Sequence, residues 1–382
     1  MAGIYLHIPF CRQACHYCNF HFSVSQRNKE QIVDCLIMEM ELRKGFFDAC
    51  LTEAKGRAIQ SIYLGGGTPS TLGINHLQKI FSALYRHFCV MEDAEITLEA
   101  NPEDLTPGYL LMLRETPVNR LSIGIQSFHE PDLKYMNRSH SSKQAIQCIE
   151  QAQKAGYSNI TIDLIYGTPT MDDKAFTQNL EMIVQMGIQH VSAYALTVEP
   201  YTALEVFIKR GKLQPVDEEQ CARQFELLMD FLAEKGYLHY EISNFALPGM
   251  FSRHNLSYWI GAPYLGLGPS AHSYKQNKRS WNPANTTAYT QSITKGVLPL
   301  ESEELSSAQQ YDEYLMTSLR TMWGCSLERV ESGWGIEKVY ELRKQSEKYI
   351  LQGLMLEIDH HFILTNKGRL FADRIASDLF WV

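Results

Sequence analysis

Six short runs rich in β-branched or aromatic residues recur through the first half of the chain, at residues 4–8, 61–64, 96–98, 120–125, 159–165 and 190–196. Between them, apolar side chains repeat at intervals of three and four, as in Ala145, Cys148, Ile149 and Ala152, or Cys221, Phe225, Leu228, Met229 and Leu232. That spacing marks one face of an amphipathic helix. Strand and helix in alternation predict a parallel sheet, because each right-handed crossover returns the next strand beside the last with a helix on the outside. Six units are too few to close an eight-stranded barrel. The expected fold class is therefore α/β, an open, partial (β/α)6 barrel of TIM type whose ligands lie beyond the carboxyl ends of the strands.

The rhythm changes near Gly236. Residues 240–288 carry many aromatics, His, Asn, Gly and Pro with little periodicity and read as a cap or extension. Helical patterns follow at 311–322 and 336–354, then a strand-like run at 362–364, a turn at Asn366, Lys367 and Gly368, and a final helix. The expected division is a core over 1–237, a cap or extension over 238–300, and a small, mostly helical C-terminal domain over 301–382.

The 35 Lys+Arg against 43 Asp+Glu give a net charge of −8, which argues against a broad nucleic-acid surface. No apolar run is long enough for a membrane span, and the first residues lack a secretory pattern, so a cytoplasmic protein is expected. Peripheral membrane association is compatible with the sequence.

Of nine cysteines, Cys35, Cys50, Cys89, Cys148, Cys221 and Cys325 are scattered without ligand spacing. Cys11, Cys15 and Cys18 instead form C-x3-C-x2-C just after the first predicted strand. A loop there can curl three thiolates around one site, and thiolate is a ligand for iron–sulfur clusters. Three thiolates on a four-iron cubane leave one iron open to a chelating ligand. Zinc, with His16 or His21 as a fourth ligand, is the rival reading, and three core cysteines the bland one.

This motif, with Tyr17 before its last cysteine, resembles the radical SAM superfamily. The further segments Gly65-Gly66-Gly67-Thr68-Pro69-Ser70, Glu99-Ala100-Asn101-Pro102-Glu103, Arg120 through Ser127 and Asp163 through Pro169 resemble its HemN/HemW branch over nearly the whole chain. The resemblance implies a [4Fe-4S] cluster on Cys11, Cys15 and Cys18, with S-adenosyl-L-methionine (SAM) chelated to the open iron. It places Glu99, Gln126, Arg138 and Asp163 at the SAM amine, carboxylate or ribose, Tyr5 and Tyr17 near the cluster, and Gly66, Gly67 and Thr68 at the methionine end. Read physically, the triple glycine lets backbone approach a ligand closely and turns N–H groups toward it. Glu99, Gln126 and Asp163 are expected at or just beyond strand ends.

Within this branch, one group comprises oxygen-independent coproporphyrinogen III oxidases of porphyrin biosynthesis, and the other comprises heme chaperones. The oxidases have a further cysteine where this chain has Phe20, and an N-terminal extension where only ten residues precede Cys11. His254-Asn255-Leu256-Ser257-Tyr258-Trp259 matches the HNxxYW motif of the chaperones. The resemblance thus implies heme as cargo, contacted by His254, Tyr258 and Trp259, with acceptor hemoproteins and an electron donor as partners. His272 is a secondary candidate, and the decarboxylase is the alternative function.

Overall fold

The computed structural model describes residues 2–47 and 58–381; Cys50 lies outside them. Its framework is six strands, β1 (Gly3–Ile8), β2 (Ile59–Gly66), β3 (Val90–Ala100), β4 (Arg120–Gln126), β5 (Ile160–Tyr166) and β6 (His190–Ala195). Each pairs in parallel with the next. Some of the crossover helices begin at side-chain caps: Ser141 and Gln144 form a capping box, and Asp172 accepts from the Ala175 N–H. These caps satisfy amides that the first helical turn leaves unpaired.

Alternation along the strands separates two faces. Ile4, Leu6, Ile8, Ile62, Leu64, Ile96, Leu98, Leu121, Ile123, Ile162 and Leu164 enter one apolar core with helix residues such as Leu36, Leu77, Ile80, Ile149 and Leu180. Each such burial contributes roughly 1.5–3 kcal/mol. The opposite face carries Tyr5, Tyr63, Glu99, Ser122 and Asp163, with Tyr63 donating to Glu99 and Ser122 to Asp163 across strands. A one-residue slip would push those groups into the helix layer, so the apolar pattern fixes the register. The fold is the expected α/β partial barrel.

The strands that follow lengthen the sheet at both edges. A hairpin of β7 (Leu238–Glu241) and β8 (Asn244–Ala246) pairs antiparallel with β6. At the other edge β9 (Tyr264–Leu267) lies parallel to β1, followed by antiparallel β10 (His272–Lys275), β11 (Lys278–Trp281) and β12 (Glu301–Glu304). The result is a 12-stranded sheet in the order β12-β11-β10-β9-β1-β2-β3-β4-β5-β6-β8-β7. An open barrel leaves two unpaired edges, and these short strands cover them. Gly266 allows the close β9–β10 approach, since a Cβ there would stand 2.0 Å from the His272 carbonyl oxygen.

A second core gathers Tyr311, Leu315, Leu319, Val330, Leu342, Phe362 and Ile375. Helices Ser307–Ser318, Leu327–Trp334, Ile336–Leu351 and Ala372–Asp378 surround a sheet of β13 (Cys325–Ser326), β14 (Met355–Ile358) and β15 (His361–Leu364), ordered β13-β15-β14. The turn expected at Asn366 to Gly368 is instead a short helix, Asn366–Arg369, capped by Thr365. Gly368 is there for proximity, a Cβ meeting the Leu354 carbonyl oxygen at 1.9 Å. The hairpin between β14 and β15 turns at Asp359 and His360, with φ of 47° and 61°. Among the described residues no helix is long and apolar enough to cross a membrane.

Candidate functional site

The chain leaves β1 into a loop held on both flanks. On one side the Cys11 N–H donates to the Ser23 carbonyl at 3.0 Å, and the Ser23 N–H donates to Pro9 at 2.8 Å. On the other, the His16 N–H donates to Met136 at 3.1 Å and the Leu204 N–H to the His16 carbonyl at 2.8 Å. Tyr17 packs onto Tyr135, Met136, Ile165, Leu196 and Leu204, anchoring the loop. Arg12 donates to Asp104 at 2.5 Å, and Ser70 donates to the other Asp104 oxygen at 2.7 Å. Asp104 therefore ties the cysteine loop to the segment that follows the glycines.

The three thiols are half-buried in this frame. The Thr68 hydroxyl donates to Cys11 Sγ at 3.5 Å, and Arg138 donates to Cys15 Sγ at 3.3 Å. Burial pushes the Cys11 thiol up to about 11 and raises that of Cys18; bound iron would supply the charge that deprotonates both. Among the described residues no three His, Cys, Asp or Glu side chains converge on a point that one ion could occupy. A cubane asks something different, because its thiolates attach to separate irons. The two histidines that a zinc reading would enlist are engaged elsewhere, His16 Nδ1 with the Tyr135 carbonyl and His21 Nε2 with the Thr286 hydroxyl, each at 2.9 Å. The donor set fits the cluster.

Beside the loop, the polar face gathers several of the expected residues. Glu99 accepts from the Tyr63 hydroxyl at 2.7 Å and the Gly66 N–H at 3.2 Å. Burial raises its carboxyl to about 7 and that of Asp163 to about 6. Ser122 donates to Asp163 at 3.2 Å. Asp163 sits mid-strand rather than at a strand end, because β5 continues to Tyr166. Gln126 closes β4 with φ of 66°, at a register shift against β5. A non-glycine residue in that region stores backbone strain, which is commonest at functional sites. Arg138 also donates to Asn101 and to the Gly124 carbonyl, each at 2.7 Å, while its buried Nε has no partner among the described residues. An unpartnered buried N–H beside the thiols fits a carboxylate ligand.

The glycines act otherwise than expected. The Gly67 N–H donates to Ile8 at 2.9 Å and the Thr68 N–H to Phe10 at 2.6 Å, so these amides clasp the exit of β1 instead of facing a ligand. A Cβ on Gly67 would meet the Phe10 and Ile8 carbonyl oxygens at 2.7 and 2.8 Å, and one on Gly66 would strike the His7 ring at 2.6 Å.

Next to this face opens a cavity of about 800 Å³. Its walls include Tyr5, Phe20, Tyr258, Trp259, Tyr264, Tyr274, Tyr314 and Trp334, with Arg279 and Arg329 among them. Volumes of roughly 300–1,000 Å³ accommodate cofactor-sized molecules. His254 is not one of its walls. It is 1% exposed in the helix Arg253–Trp259, with Nδ1 at 2.9 Å from the Ser61 hydroxyl and Nε2 at 2.9 Å from the Tyr258 hydroxyl. Its ring stacks on Tyr63 with centroids 5.1 Å apart, and burial lowers its basicity to about 3. Both ring nitrogens of His254 are thus engaged inside the protein, while Tyr258 and Trp259 line the cavity. Glu95 fixes the helix by accepting from the Arg253 and His254 N–H groups at 3.1 and 3.0 Å.

Residues 5–183 match the radical SAM superfamily. The heme chaperone HemW of Mycobacterium tuberculosis is 34% identical, over 99% of this chain and 94% of its own. The HemW of Bacillus subtilis is 31% identical over 98% of each. The chain belongs to the HemW family. Coproporphyrinogen III oxidase (HemN) from Escherichia coli has the same fold, with a TM-score of 0.84 at 24% identity, covering 99% of this chain and 90% of that one.

The cysteine loop, Thr68, Glu99 and Arg138 come together around one end of the sheet, Asp163 stands on the same face from mid-strand, and Tyr5 joins the cavity. Sequence reasoning missed Arg12, Asn101 and Asp104, which brace the loop, and the walls Tyr264, Tyr274, Arg329 and Trp334. Asn101 and Asp104 lie within or just after the Glu99 to Glu103 segment, so their neighbourhood carried the signal. The walls come from segments far apart in sequence, and only β10 left a trace, in the alternation of His272 and Tyr274.

Proposed function

We propose that this protein is a heme chaperone, holding a [4Fe-4S] cluster on Cys11, Cys15 and Cys18, SAM against it, and heme in the adjoining cavity for delivery to acceptor hemoproteins. The observation that carries the reading is the cavity itself, which begins at Asn19 and Phe20 beside the cysteine loop and is walled by aromatic rings and two arginines. Aromatic faces suit a flat macrocycle, and guanidinium suits its carboxylates.

When bound, the reduced cluster with SAM on its open iron supplies an electron that can cleave the sulfonium. The chain's own residues hold that assembly. Thr68 and Arg138 direct hydrogen bonds at Cys11 and Cys15, stabilising thiolate charge. Glu99 and Asp163 offer carboxylates that a ligand cation keeps ionised, and Arg138 Nε offers a donor to a ligand carboxylate. Tyr17 and its apolar neighbours shut the far side of the loop from water. An electron donor completes the partner set, and the cytoplasm is the compartment that the family reading favours.

The test is an anoxic titration of reconstituted protein with ferric heme. Saturable binding that weakens by roughly 10-fold or more in Trp259→Ala combined with Tyr274→Ala supports the reading. Equal binding by the variant contradicts it. Steady decarboxylation of coproporphyrinogen III, given SAM and reductant, would replace it with the oxidase function.

A further inference from the structure

Three histidines reach the cavity wall: His7, His21 and His272. Two are hydrogen-bonded within the protein, His7 through both ring nitrogens and His21 through one. His7 places Nδ1 at 3.1 Å from the Tyr5 hydroxyl and Nε2 at 2.8 Å from the His21 carbonyl. His21 uses Nε2 on Thr286 and has no partner for Nδ1 among the described residues, so His272 is the one of the three with both nitrogens free. His272 opens β10 with its side chain exposed, and neither ring nitrogen has a hydrogen-bond partner among the described residues. Its ring stacks on Trp281, the paired residue of β11, at 5.8 Å and 24°.

The sheet places the surrounding groups. Tyr264, Tyr274 and Arg279 stand in one row across β9, β10 and β11. That row shares a face with His272 and lies two residues along, about 6.6 Å by the strand rise. Arg279 already pairs with Glu313 at 2.6 Å. Arg329, from the C-terminal wall, lies over the Tyr314 ring at 4.4 Å, and no carboxylate pairs with it among the described residues. The cavity therefore offers one unencumbered imidazole, one unpaired guanidinium and flat aromatic walls.

We propose that His272 is the axial ligand of the heme iron and Arg329 the partner of a heme propionate, with His254 a positioning residue that holds Tyr258 in the wall. This rests on the heme reading above. An imidazole nitrogen free of other bonds can coordinate iron without first losing a hydrogen bond, whereas His254 would have to abandon Ser61 or Tyr258 and leave the interior. A guanidinium with no carboxylate partner gains a charge-assisted pair when a propionate arrives.

The experiment titrates the full-length, anoxically reconstituted chain with ferric heme as wild type, His272→Ala, His254→Ala and Arg329→Ala. Tryptophan quenching reads affinity, while heme absorption and EPR spectra read the iron's ligand. His272→Ala is expected to bind roughly 10-fold or more weakly and to lose the imidazole-ligated spectrum, which free imidazole then restores. His254→Ala keeps that spectrum. Arg329→Ala weakens binding of heme but not of its propionate diester. An unchanged spectrum in His272→Ala, or loss of the imidazole signature in His254→Ala alone, overturns the assignment of the ligand, and equal loss of affinity for heme and its diester in Arg329→Ala overturns that of the propionate partner. Failure of the wild type to take up heme at all overturns instead the heme reading on which it rests.

Discussion

At the scale of single residues, Glu99 carries a pH signature. Its carboxyl is raised from 4.5 to about 7, chiefly by burial, with Asp163 adding to the rise while Tyr63 and the Gly66 N–H oppose it. The folded, ligand-free protein therefore holds this proton more tightly than the unfolded chain does. Stability from this group is fully present below pH 4.5 and is lost as pH rises through about 7. Glu99→Gln, which cannot ionise, should gain stability relative to wild type across that interval and hold a constant advantage above it. Urea midpoints measured from pH 5 to 8 would check this, and a pH-independent difference would refute the burial account. His254 makes a different prediction. His254→Ala leaves the buried hydroxyls of Ser61 and Tyr258 without partners and opens a void beside Tyr63, so a loss of about 1–3 kcal/mol is expected by chemical denaturation.

Among the elements, the junction of β1 and β2 is least tolerant of change. Gly67→Ala would drive a methyl group into the carbonyls of Ile8 and Phe10, displacing the backbone from which the cysteine loop departs. The expected outcome is a folded protein that retains much less iron and sulfide after reconstitution, measured beside a circular-dichroism spectrum like that of wild type. Retention at the wild-type level would show that the close approach does not matter. The six central strands were legible because each buries an aliphatic face against helices, which leaves Ile, Leu and Val recurring between turns. β7, β8 and β9 were not. They are only three or four residues long, and the open edges of β1 and β6 confer their pairing, which no local pattern encodes. The same distinction governs the site. Cys11, Cys15 and Cys18 are close in sequence and announce themselves, whereas the seclusion of His254 depends on Ser61 and Tyr63, contributed by a distant strand.

Over the whole molecule, the cavity is shared. Tyr5, Tyr258 and Tyr274 come from the barrel sheet and its extension, and Tyr314, Arg329 and Trp334 from the C-terminal core. Trp334 stacks on Tyr314 at 5.8 Å and donates to the Ser307 carbonyl at 3.0 Å. Trp334→Ala should weaken heme binding several-fold while leaving SAM binding unchanged, as read by parallel titrations; an equal loss of both would mean that the C-terminal core only supports the barrel. Beneath these predictions lies the three-thiol site. The most direct measurement is iron and sulfide analysis of anoxically prepared protein, with EPR of the reduced form before and after SAM is added. A three-thiol [4Fe-4S] site gives about four irons and about four sulfides per chain, a signal that changes when SAM binds, and loss of that signal in Cys11→Ser, Cys15→Ser and Cys18→Ser. Zinc without sulfide, or a cluster signal indifferent to SAM, would contradict it.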